Sequence, residues 1–185
     1  LEAAEQALPA DAATAAARHY LDQARRTARA SLTQARAGVA DLRPDLLVQN
    51  SLPAALERVV AQWRTESGIA ASFTVTGAAA GPMPAVDITL LRALQEALAN
   101  VRKHAQATNV VVTLSYMDDL VALDVQDDGV GMATQPAGPD ALRLDAGGFG
   151  LVGMRERVEQ LGGALLVESA PQQGTTVVVQ IPVAV

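Results

Sequence analysis

Two hydrophobic periods divide the chain. Across residues 11 to about 42, apolar or small residues recur at Leu21, Ala24, Ala28, Leu32, Ala35, Val39 and Leu42. Steps of three and four predict one long helix with a heptad-like seam. Its many alanines make that seam narrow, so close packing on another helix is expected rather than an isolated rod. Residues 1–8 read as the end of an earlier helix, with Pro9 and Asp11 as break and cap. Arg43-Pro44 ends the long helix, because proline disfavours helical geometry in the residue before it. The domain boundary is placed there, giving a helical region over 1–43 and a second domain over 44–185.

The second domain mixes the two periods. Leu52-Pro53 opens a helix that runs through Leu56, Val59, Val60 and Trp63 to about Ser67, with Gly68 as the stop. Residues 69–76 alternate as a strand, and 77–84 form a turn-rich connection. A helix over about 87–104 carries Leu90, Leu91, Leu94, Ala97, Leu98 and Val101 as its apolar side. Residues 109–116 and 120–126 alternate again around Met117-Asp118-Asp119, the pattern of a hairpin. Val110, Val112, Leu114, Leu123 and Val125 are the candidates for its buried side, so the sheet should lay one face on the helices. Periodicity is lost between Gly131 and Gly148, as in a functional lid or a disordered segment. A helix over 149–161 stopped by Gly162-Gly163, then strands over 164–169 and 175–182 around a 171–174 turn, complete the chain.

The polar residues on the 87–104 helix are spaced for chemistry. Glu96, Asn100, Lys103 and His104 follow one another by i+4, i+3 and i+4 steps and share one face. Such a row is either a solvated surface or a site for a metal and an anion. In the second case Asn100 offers a neutral oxygen to Mg2+ and Lys103 offers charge to phosphate oxygens. Two glycine-rich segments follow. Asp127-Asp128-Gly129-Val130-Gly131 leaves the end of a strand and reads as a simple turn or as a ligand-binding turn. In the binding reading Asp127 accepts a hydrogen bond from a ligand amine, while Gly129 and Gly131 let backbone lie close to a flat ring. Gly147-Gly148-Phe149-Gly150-Leu151 opens a helix, where free N–H groups can meet phosphate.

Bulk properties narrow the classes. Of 185 residues half are hydrophobic but only 3% aromatic, so the core is built from Ala, Val and Leu. A formal charge of −6 argues against a general nucleic-acid binder, and any anion site must be local. There is no cysteine, hence no disulfide framework and no thiolate metal site, which suits a reducing interior. No uninterrupted apolar run of membrane-spanning length occurs. The chain begins at Leu1-Glu2-Ala3 inside helical sequence, so it is expected to be a fragment of a longer protein.

Taken together, Glu96-x-x-x-Asn100-x-x-Lys103, Asp127-x-Gly129-x-Gly131, Gly148-x-Gly150-Leu151 and Gly174-Thr175-Thr176 resemble the ATP-binding domain of sensor histidine kinases. That domain belongs to the superfamily that includes gyrase, the Hsp90 chaperones and MutL. The likeness is closest to the nitrate-sensor (NarL/DesK-like) kinases. It rests on Gln95-Glu96-Ala97-Leu98-Ala99-Asn100-Val101-Arg102-Lys103-His104-Ala105 and on Gly150-Leu151-Val152-Gly153-Met154-Arg155-Glu156-Arg157. Residues 35–44 look like the end of that family's second dimerisation helix.

The resemblance implies an α+β fold: a two-layer α/β sandwich of the Bergerat type, with a mixed sheet, helices on one face and a long dimerisation helix before it. It implies that Asn100 coordinates Mg2+, with Glu96 holding a metal-bound water or polarising a nearby group. Lys103 and His104 would face the phosphates, though His104 could equally pack beside the base. Asp127 would bind the adenine amino group, helped by Thr175, with Gly129 and Gly131 bordering the base. Gly148, Gly150 and Leu151 would shape the lid around the phosphate tail.

The family's phosphate acceptor, a histidine followed by an acidic residue, has no counterpart here. His19 is followed by Tyr20 and reads as an ordinary helix histidine, so the fragment is expected to bind ATP without phosphorylating itself. The expected function is the catalytic portion of a two-component sensor kinase, passing phosphate to a histidine and then to a response-regulator aspartate. In the intact protein the long helix would form a homodimer. A superfamily ATPase, or a non-catalytic nucleotide-binding or dimerisation module, are the alternatives. No direct nucleic-acid contact is expected. The location would be cytoplasmic, with membrane attachment only through parts N-terminal to this sequence.

Overall fold

A computed structural model describes residues 45–78, 81–132 and 149–183, which belong to one compact unit. The expected long helix over 11–42 and most of the expected lid, including Gly148, lie outside the described residues. Described elements run α1 (Asp45–Gln49), α2 (Leu52–Ser67), β1 (Ala70–Thr76), α3 (Pro84–Asn100), a π-helical turn (Val101–Ala105), β2 (Asn109–Tyr116), β3 (Leu120–Asp127), α4 (Phe149–Glu159), β4 (Ala164–Ser169) and β5 (Thr175–Pro182).

The five strands form one sheet in the order β1-β2-β3-β5-β4. β1 and β2 are parallel and every other pair is antiparallel. A parallel pair cannot close through a tight turn, and α3 provides its crossover. β2 and β3 form the hairpin expected around Met117-Asp118-Asp119, with the Met117 N–H donating to the Leu120 carbonyl at 2.8 Å.

Strand register decides which side chains meet the helices. Val112, Leu114 and Tyr116 pair with Val125, Leu123 and Val121, and those three pair in turn with Val177, Val179 and Ile181. This face receives Leu56 from α2, Leu90, Leu94 and Leu98 from α3, and Met154 and Val158 from α4, all fully buried. The opposite face carries Thr113, Asp124, Val178 and Leu166 in one cross-strand row, partly exposed. The sequence expectation of a mixed sheet with one face on helices is met.

Local signals explain the helix ends. Pro53 sits in the first turn of α2, where its missing N–H has no helical partner to lose. Gly68 closes α2 at φ +73°, its N–H donating to the Arg64 carbonyl at 3.0 Å. Pro84 likewise opens α3, three residues earlier than its apolar stripe suggests. The five-residue α1 was not expected. It is too short to show a period, though Leu46 and Leu47 pack on the core.

Candidate nucleotide site

The C-terminal end of α3 is shaped by a change of helix type. Leu94, Ala97 and Leu98 are buried, so Glu96 and Asn100 fall on the half-exposed side of α3, one turn apart. After Asn100 the chain widens into the π turn, where hydrogen bonds run i→i+5. The Val101 N–H is shared between the Ala97 and Leu98 carbonyls, at the transition itself. The Leu98 carbonyl also accepts the buried indole N–H of Trp63, at 3.1 Å. Lys103 and His104 lie in the π turn and are exposed, and Gln106 ends it at φ +52°. The four polar residues therefore follow α3 into the wider turn instead of sharing one straight α-helical face, as sequence spacing alone suggested.

At the end of the sheet, Asp127 is the last ladder residue of β3 rather than the first residue beyond it. It pairs with Val110 on one side and with Thr175 on the other, on the sheet face that meets the helices. Asp127 is buried, and one of its oxygens accepts the Gly129 N–H at 2.9 Å. Burial pushes its pKa up from the ordinary aspartate value, and the Asp128 charge adds to that. The N–H groups of Gly129 and Thr175 pull the other way. The result is a buried carboxyl with acceptor capacity left over, suited to a ligand donor.

Asp128 has a different task. Its carboxylate accepts the N–H and the hydroxyl of Thr108, each at 2.7 Å, and the Asn109 N–H at 2.9 Å. These bonds hold its pKa below the ordinary value, the Thr108 hydroxyl contributing most. The Val130 N–H meanwhile donates to the Ala105 carbonyl at 2.8 Å, and a Cβ on Gly129 would overlap that carbonyl. The turn that follows Asp127 is thus fixed to the end of the π turn that follows Asn100.

On the other side the same turn is fixed to β4 and β5. Ser169, buried on β4, pairs in register with Thr175. Its hydroxyl oxygen accepts the Met132 N–H at 2.8 Å, lies 2.9 Å from the Gly174 carbonyl and 3.0 Å from the Thr175 hydroxyl. Gly131, at φ +65°, leaves no room for a Cβ against the Ala170 and Gly174 carbonyls. Gly129 and Gly131, expected beside a ring, are thus in contact with protein backbone. Gly150, in the first turn of α4, stands against the Glu96 carboxylate, and Leu151 beside it packs on the core.

Sequence reasoning missed Ser169, Asp128 and Ala105. Ser169 carries no motif signal; only the β4–β5 register, with Ser169 opposite Thr175, brings it to the site. Among the described residues no cluster of three or more His, Asp or Glu side chains could cage a metal. The donor set of Asn100 and Glu96, one amide and one carboxylate, fits Mg2+ brought with a polyphosphate, since that ion keeps most of its oxygens from waters and phosphates.

Residues 85–185 match the family described as histidine kinase-, DNA gyrase B-, and HSP90-like ATPase. The chain belongs to this family. It is 34% identical over 159 residues to the signal transduction histidine-protein kinase/phosphatase DegS of Brevibacillus brevis, covering 86% of this chain and 39% of that one. It is 34% identical over 143 residues to the sensor histidine kinase NarS of Mycobacterium tuberculosis, covering 77% and 32%. The chain thus spans well under half the length of these relatives. Among solved structures, the histidine kinase domain of the Erythrobacter litoralis EL346 blue-light activated histidine kinase shares the fold, with TM-score 0.56 and 24% identity over 71% of this chain and 64% of that one. Family membership makes a nucleotide the ligand class of this domain, in agreement with the resemblance drawn from its motifs. No described helix is long and apolar enough to cross a membrane.

Proposed function

We propose that this chain is the ATP-binding catalytic portion of a two-component sensor histidine kinase. In the intact protein it would deliver the ATP γ-phosphate to a histidine nitrogen, from which a response regulator takes it to an aspartate. The observation that carries this reading is the ladder register that sets Asp127 opposite Thr175, with the same turn fixed to the segment following Asn100. It supports the reading because it holds the Asp127 carboxyl and the segment following Asn100, the two ends of the proposed site, as one unit.

In this reading Asp127, with Thr175, takes the adenine amino group, and Gly129 and Gly131 set the turn that borders the base. Asn100 would hold Mg2+ directly and Glu96 through water. Lys103 and His104, exposed on the π turn, would face the phosphates. Gly148, Gly150 and Leu151 would enclose the phosphate tail. Mg2+, when bound, would neutralise charge on the phosphates; the protein's part is positioning and further charge neutralisation. Homodimerisation through residues 1–43, a response-regulator partner and attachment to a membrane through a segment preceding this sequence complete the proposal.

Calorimetric titration with a non-hydrolysable ATP analogue, with and without Mg2+, tests it. Binding should be lost in Asp127→Asn, and its Mg2+ dependence should be lost in Asn100→Ala. Absence of binding by the parent chain would refute the reading. Rapid ATP turnover by the isolated chain would instead favour a hydrolase in which Glu96 activates water.

A further inference from the structure

Ser169 lies outside every motif that marks the nucleotide site, yet it touches Thr175. Its hydroxyl has one proton and two lone pairs to distribute among three neighbours. The Met132 N–H can only donate, so it takes one lone pair, at 2.8 Å. The Gly174 carbonyl can only accept, so the Ser169 proton points to it, at 2.9 Å. Any other placement would press two proton-free oxygens together inside the protein, at a desolvation cost. The 3.0 Å contact with Thr175 is then decided: the Thr175 hydroxyl donates and Ser169 accepts.

Thr175 is left with lone pairs and no proton for a ligand. Asp127, its register partner, is also acceptor-only when ionised. Two adjacent acceptors suit an exocyclic amine, which carries two protons, and disfavour a ring carbonyl in the same place.

We propose that Ser169 is a positioning residue that sets base specificity by fixing the Thr175 hydroxyl as an acceptor, so that the site takes 6-amino purines and rejects 6-oxo purines. This inference rests on the nucleotide-binding reading above. Removing the Ser169 hydroxyl frees the Thr175 proton to turn toward a 6-oxo group.

The test is calorimetric titration of the parent chain, Ser169→Ala, Ser169→Thr, Thr175→Val and the double variant with non-hydrolysable ATP and ITP analogues. The parent should prefer the ATP analogue. Ser169→Ala should reduce that preference roughly five- to tenfold, the scale of one hydrogen bond, chiefly by strengthening the ITP analogue. Ser169→Thr should keep the preference. Thr175→Val should weaken the ATP analogue and narrow the preference, because it removes one of the two acceptors that disfavour a 6-oxo group, and the double variant should match Thr175→Val. Equal weakening of both analogues by Ser169→Ala would overturn the inference while leaving the nucleotide site standing. Should Ser169→Ala fail to fold, a Thr175→Val variant that keeps the parent's full preference for the ATP analogue would overturn it. A parent chain that binds neither analogue would overturn the underlying reading and this inference together.

Discussion

Gly150, in the first turn of α4, stands against the carboxylate of Glu96 on α3, with no space for a Cβ between them. A helix interior ordinarily gains about 1 kcal/mol when glycine becomes alanine. Here the obstructing atoms are the far end of a flexible side chain, which can turn away. Gly150→Ala should therefore keep or slightly raise Tm while displacing Glu96. If Glu96 acts on a metal-bound water, phosphotransfer by the full-length protein should fall at least tenfold with nucleotide affinity little changed. Thermal melts and single-turnover assays on one preparation check both halves; a drop in Tm with full activity would contradict the prediction.

Asp127 is buried at a cost to the fold. Its folded pKa is raised, so the folded state binds this proton more tightly than the unfolded chain does. The associated stability is complete below the ordinary aspartate value of 3.8 and is lost as pH rises through the raised folded value. At neutral pH the chain thus holds an ionised carboxyl where a neutral group would be less costly. Asp127→Asn keeps an oxygen for the Gly129 N–H and removes the charge. It should melt higher than the parent at pH 7, and the difference should shrink as pH falls toward 4. The same variant should lose nucleotide binding, so stability and function move in opposite directions at one residue.

Much of this organisation is written in local sequence, and the exceptions have physical causes. α2 is legible from Pro53 and Gly68, and the β2–β3 hairpin from alternation on both sides of Met117-Asp118-Asp119, because each signal lies within one element. Asp127 and Thr175 could be named from their motifs, but their pairing is a property of the β3–β5 register, set across almost fifty residues of chain. Ser169 has no local signature and becomes visible only when β4 lies beside β5. The π turn after Asn100 is likewise hidden, since its residues continue an ordinary helical pattern; its surroundings, including the Trp63 indole bonded to the Leu98 carbonyl, are tertiary.

That indole contact supports a third prediction. Trp63 lies on α2 and Leu98 on α3, and their hydrogen bond joins the two helices between Glu96 and Asn100 along the chain. Trp63→Phe keeps most of the apolar burial and removes the donor. The buried carbonyl at the α-to-π transition then has one partner fewer, at a cost of about 1 kcal/mol. Urea denaturation should show a lower midpoint with an unchanged m-value. Amide exchange of Val101 and Arg102 should quicken more than exchange in β2; uniform acceleration throughout the domain would mean that the contact stabilises the fold without shaping the turn.

The last prediction concerns Asp128, whose carboxylate joins the turn after Asp127 to Thr108 and Asn109. Here the sign is the reverse of that at Asp127. Its folded pKa is lowered, so the stability it contributes is present above the ordinary aspartate value and is lost as pH falls through the lowered one. Asp128→Ala should melt below the parent at pH 7, and the two should converge as pH drops below about 4. Thr108→Val removes only the hydroxyl that contributes most to the lowered pKa, and should reproduce part of the difference. Both variants loosen the attachment of the turn proposed to border the base, without touching the proposed Mg2+ ligands. They should weaken adenosine and ATP by similar factors and leave the Mg2+ dependence of ATP binding intact. A variant that lost Mg2+ dependence while still binding adenosine normally would show that Asp128 serves the phosphate end of the site instead of the base end.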